Sequence, residues 1–95
     1  MKNDDAYRQI AKAKLDEIGA KIDQIKAKAE QADAEARIQA AREINQLDLR
    51  RKQLQIRLDE LKATGEAAFD EMKTGVEKAF AELKSAVDSA ISKFG

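Results

Sequence analysis

The chain has 95 residues, 38% of them charged and 4% aromatic, with 18 basic and 18 acidic side chains and no His, Cys, Pro or Trp. Without His or Cys there is no imidazole base, no thiolate nucleophile and no nitrogen or sulfur ligand for zinc, copper or haem, which removes most enzyme classes, and no enzyme, cofactor or metal site is expected. A formal net charge of zero withholds the long-range attraction to phosphate that nucleic-acid binders use, and no nucleic-acid partner is expected.

Much of the 43% hydrophobic fraction is Ala, which leaves few large apolar side chains and predicts a core that is a thin seam. No apolar run approaches the roughly 20 residues of a membrane span. Met1-Lys2-Asn3-Asp4-Asp5 lacks the basic start and apolar run of a secretory leader. A soluble cytoplasmic protein is the expectation.

Strong helix formers fill almost every position and no Pro obliges a break, so the fold class is all-α. Asn3 is placed to cap the first helix, with Asp4 and Asp5 in the turn where the helix dipole favours negative charge. From Leu15 the apolar positions run Leu15, Ile18, Ile22, Ile25, Ala29, Ala32 and Ala36 in steps of three and four, a heptad seam. An insertion of four through Ala40 and Ile44 loosens the supercoil, and the seam resumes as Leu47, Arg51, Leu54, Leu58 and Leu61. The strongest stop signal is Lys62-Ala63-Thr64-Gly65-Glu66, with Gly65 where a left-handed cap is wanted. A break at Gln31-Ala32-Asp33 would give three helices of similar length. That segment offers only Asp33 as a cap and no Gly, so one continuous helix over about 4–62 is expected, on the order of 90 Å long.

Beyond the turn at 63–66, a C-terminal helix over about 66–94 carries Phe69, Met72, Val76, Phe80, Leu83, Val87, Ile91 and Phe94, spaced as an eleven-residue repeat. Gly75 inside it costs about 1 kcal/mol relative to Ala, a cost that close approach of a neighbouring backbone would justify. Lys93 and Gly95 suit its end. Folding back along 34–62, this helix would form a single helical-hairpin, coiled-coil domain spanning 1–95. Leu47, Leu54, Leu58 and Leu61 would face Phe69, Met72, Val76, Phe80, Leu83, Val87 and Ile91 in its core. Charge favours the pairing: residues 34–62 carry seven basic against five acidic side chains, net +2, and 63–95 carry four against six, net −2.

At about 100° per residue, Ile38, Leu49 and Ile56 fall opposite the Leu47 to Leu61 seam, on a side that one hairpin partner does not reach. An antiparallel homodimer is therefore expected, its interface drawn from Leu15, Ile18, Ile22, Ile25, Ile38, Leu49 and Ile56. The carboxylate pairs Asp16-Glu17, Asp59-Glu60 and Asp70-Glu71 read as solvated surface, because adjacent helical residues diverge by about 100°. Arg50-Arg51-Lys52 is the densest basic run, with Asp48 set to pair with Lys52 at i,i+4. Glu17 with Lys21 and Asp33 with Arg37 are spaced the same way. The Phe69, Phe80 and Phe94 stripe reads as bundle core, although eleven-residue amphipathic repeats also lie in lipid interfaces.

Ala13-Lys14-Leu15-Asp16-Glu17-Ile18, Lys21-Ile22-Asp23 and Ala27-Lys28-Ala29-Glu30, followed by Gly65-Glu66-Ala67-Ala68-Phe69-Asp70-Glu71-Met72-Lys73 and Gly75-Val76-Glu77-Lys78-Ala79-Phe80, resemble a family of small bacterial coiled-coil proteins. Its members are labelled stress-response or apolipoprotein-like proteins and occur in cyanobacteria and proteobacteria. The resemblance implies no catalytic residues, only a loose link to stress and to envelope association. The functional expectation is a non-enzymatic structural or interaction protein, a stress-associated scaffold, with weak peripheral binding to lipid or other hydrophobic surfaces as the alternative.

Overall fold

A computed structural model describes residues 3–62 and 65–94, and these form three helices with no strand among them. Helix α1 spans Asn3–Ala29, α2 spans Ala34–Leu61 and α3 spans Glu66–Phe94. Ion pairs between helices define the topology. Lys26, late in α1, lies 3.2 Å from Asp48 in the middle of α2, while Gly19 faces Arg51, so these two helices are antiparallel. Lys93 at the end of α3 reaches Glu43 near the start of α2 at 3.6 Å, which makes that pair antiparallel too. Tyr7 against Phe69 and Lys21 against Asp88 place α1 and α3 side by side in the same direction. The result is an up-down-up bundle of 50 × 19 × 17 Å.

The continuous helix over 4–62 is thus replaced by two helices and a tight connection. At the end of α1 the hydrogen bonds shorten in register: Gln31 N donates to Lys28 O and Ala32 N to Ala29 O, three residues back. Asp33 then turns extended, with φ −68° and ψ 170°, and its carboxylate accepts from Ala36 N at 2.9 Å. This is an N-cap. Asp33 is therefore engaged with the start of its own helix, where a surface pair with Arg37 was expected. The energetic reason for the break is the seam on α1. Left on a single extended helix without a partner, Leu15, Ile18, Ile22 and Ile25 would stay wet, at a cost of about 1.5–3 kcal/mol each. Interrupting a helix sacrifices a few backbone bonds, each worth about 1 kcal/mol net. Burial wins.

The core is apolar throughout, with no polar or charged residue buried among those described. Leu15, Ile18, Ile22 and Ile25 of α1 meet Ala40, Ile44, Leu47, Leu54, Leu58 and Leu61 of α2 and Val76, Leu83, Val87 and Ala90 of α3. Phe69, Met72, Phe80, Ile91 and Phe94 pack against this cluster but remain partly exposed. The seam assigned to a second chain is consumed inside the monomer: Leu15 and Ile22 are each 1% exposed.

Both glycine expectations in the C-terminal half change. Gly65 does not adopt a left-handed conformation. Its carbonyl instead accepts from Ala68 N and Phe69 N, so it opens α3 rather than closing α2. Ala63 and Thr64, which completed the expected turn, lie outside the described residues, as does the terminal Gly95. Gly75 is exposed, and a Cβ built there meets nothing within 4 Å. No close approach justifies it.

Two substitutions test this description by urea denaturation followed by circular dichroism. Gly75→Ala is expected to stabilise the fold by about 0.5–1 kcal/mol, since it removes the backbone-entropy cost without a clash. Asp33→Ala is expected to destabilise it by about 1 kcal/mol through loss of the cap. A neutral Asp33→Ala would mean that the break between α1 and α2 does not depend on that carboxylate.

Candidate interaction surface

Helix α2 has a second apolar side. Ile38, Leu49 and Ile56 are 58%, 57% and 57% exposed, and their separations of 11 and 7 residues keep them within about 20° of one line along the helix. Ile38 and Ile56, 18 residues apart, are separated by five full turns. The line runs opposite the buried positions Ala40, Leu54 and Leu58, so it points directly away from the bundle. Ile10 on α1, 58% exposed, belongs to another helix.

Charge on α2 is sorted by direction. Arg37, Arg42, Arg50, Lys52 and Arg57 are exposed. The two acids within that stretch are only partly exposed and are drawn toward neighbouring helices: Glu43 pairs with Lys93 of α3, and Asp48 pairs with Lys26 of α1 at 3.2 Å and with Arg51 at 3.8 Å. The expected Asp48 to Lys52 pair is thereby replaced. Lys21 likewise pairs with Asp88 of α3 at 3.9 Å, where Glu17 was expected. Arg51 leaves the basic run as well, because its stem lies across Gly19 of α1, with Cδ 3.6 Å from where a Cβ there would sit. What faces solvent between Arg37 and Arg57 is a line of three aliphatics flanked by cations and by Asn45, Gln46 and Gln53.

The other sequence candidates occupy different places. Asp16, Glu17, Asp59, Glu60, Asp70 and Glu71 are all exposed. Among the described residues no group of three or more acidic side chains could hold a metal ion, and no helix is long and apolar enough to cross a membrane. The aromatic residues gather partly at one end of the bundle, where Tyr7 meets Phe69 edge to face with centroids 6.1 Å apart. Lys73 Nζ sits 5.0 Å from the centre of the Tyr7 ring, close enough for a cation–π contact. The pairs that α1 makes with its neighbours escape a sequence reading because they depend on the α1 to α2 turn. Once that turn is placed, the antiparallel register brings Lys26 to Asp48.

Compared with known protein families, curated proteins and solved structures, the chain matches none.

Partial burial, followed by the negative charge of Glu77, raises the Tyr7 phenol above its ordinary value of 10.0. The folded state therefore holds the phenolic proton more tightly than the unfolded state. The contribution is complete below about pH 10 and is lost as pH rises through the folded pKa. Thermal melts from pH 9 to 11 should show the wild type losing more stability than Tyr7→Phe over that interval. Parallel curves would rule out a raised phenol pKa.

Proposed function

We propose that the protein is a non-enzymatic interaction module, a small scaffold whose contact surface is the outward line of α2. The observation that carries this reading is the alignment of Ile38, Leu49 and Ile56, each more than half exposed, on the side of α2 opposite the core. Scattered surface aliphatics are ordinary, whereas three on one line form a surface that a partner can dry. A stress-associated setting draws its support from the family resemblance of the sequence.

Side-chain footprinting tests the reading whatever the partner is. Hydroxyl-radical labelling of Leu49 and Ile56 should be weaker in cells of the native host than in purified protein, with the equally exposed Ile10 as internal reference. Equal labelling relative to Ile10 in both settings would remove α2 as a contact surface.

A second reading has its own observation. Phe69, Phe80, Ile91 and Phe94 on α3 are only partly covered, so α3 is the helix whose apolar side would meet a lipid interface if it swung from the bundle. Interfacial binding scales with buried apolar area plus attraction to anionic lipid, and α3 is net acidic, which disfavours it. No flotation with anionic vesicles is expected. Flotation abolished by Phe80→Glu in a variant that still folds would put the lipid reading first.

A further inference from the structure

We propose that the α2 face between Ile38 and Arg57 docks an acidic amphipathic helix of another protein. This inference rests on the reading of α2 as the contact surface and adds the chemistry of the occupant. The aliphatic line supplies anchors at fixed turns, as in complexes where one helix lies in the groove of another. Charge then selects the partner. Arg42 and Lys52 lie about 40° to either side of the Ile38 to Ile56 line, while Arg50 and Arg57 lie about 100–120° round, along a groove shared with Glu82 of α3. All four are exposed. The acids of α2 closest to Arg42 and Lys52, Glu43 and Asp48, are engaged with Lys93 and with Lys26 and Arg51. A docking helix therefore needs apolar side chains opposite Ile38, Leu49 and Ile56 and carboxylates opposite Arg42 and Lys52.

A second copy of the chain fits less well. Antiparallel pairing that sets Ile38 against Ile56 also sets Arg42 against Lys52 and Arg37 against Arg57. Parallel pairing in register sets each cation against itself. Like charges in those positions oppose association. A bilayer is also a poor occupant, because Asn45 and Gln53 lie close to the aliphatic line and hydrocarbon offers their amides no hydrogen-bond partner. A protein helix can satisfy them.

The probes are designed helical peptides with Leu at the 11- and 7-residue spacing of the α2 line, in either order, and with Glu or Lys at all flanking positions. Binding to the full chain is followed by fluorescence anisotropy. A Glu peptide should bind, more weakly as salt rises, and the matching Lys peptide should not. Leu49→Asp, an exposed substitution whose fold is checked by circular dichroism, should weaken binding at least about tenfold, and Arg42→Glu with Lys52→Glu should transfer preference to the Lys peptide. Failure of both Glu peptides, or equal binding of Glu and Lys peptides, overturns the proposal. Sedimentation equilibrium that shows a dimer split by Leu49→Asp would assign the face to a second copy. Leu49-dependent flotation with phosphatidylglycerol vesicles would assign it to a membrane. In either case the acidic-helix inference falls while α2 remains the contact surface. Footprinting that shows α2 unprotected would remove both.

Discussion

The arrangement of this chain depends on how Leu15, Ile18, Ile22 and Ile25 find cover. They form a stripe one side chain wide, too narrow to build a core with a single neighbour and too apolar to leave in water. Folding at Glu30 to Asp33 brings the Leu47 to Leu61 seam onto them, and α3 closes the remaining side with Val76, Leu83 and Val87. Each helix contributes one stripe, and three stripes meet along a common axis. The core is thin because its residues are few, and it is dry because three helices can enclose a narrow line where two cannot.

The same closure organises the surface. Once α1 and α3 flank α2, acids on the inner shoulders of α2 meet basic residues across the grooves, as Asp48 meets Lys26 and Glu43 meets Lys93. Pairs this exposed contribute little to stability. Their effect is to direct Glu43 and Asp48 toward the grooves, which leaves Arg42 and Lys52 as the charges beside the aliphatic line between Ile38 and Ile56, with Glu35, Asp59 and Glu60 exposed beyond its ends.

Helical content, the apolar stripes and the placing of Ile38, Leu49 and Ile56 on a separate side of α2 were legible in the sequence, whereas Leu15 to Ile25 read as an interface with a second chain and Phe69, Met72, Phe80 and Ile91 as full core. Periodicity alone carries the stripes, because a residue on the apolar stripe is buried whether its neighbour is the same chain or another. The turn at Gln31 to Asp33 is harder to read. It lacks Gly and Pro, uses Ala32 and Asp33 in conformations open to most residues, and is favoured by long-range burial rather than by local propensity. A heptad that continues smoothly through Ala29, Ala32 and Ala36 looks the same whether the chain runs straight or reverses. The assignment of Leu15 to Ile25 to a second chain follows from that ambiguity, since on one long helix they need another molecule, whereas on the folded chain α2 and α3 cover them. Gly75 is opaque for a different reason. A sequence shows that a glycine costs helix stability but does not show whether its surroundings need the space.

The odd number of helices has a mechanical consequence. With α1 and α3 parallel, Asn3 and Phe94 emerge at opposite ends of a body 50 Å long. An even-numbered bundle returns its ends to the same side and hangs from whatever it is attached to. Here the two helix ends point away from each other along the long axis, with α2 running between them. Anything held along α2 would lie parallel to the axis joining those ends, so the bundle would set its orientation as well as its position.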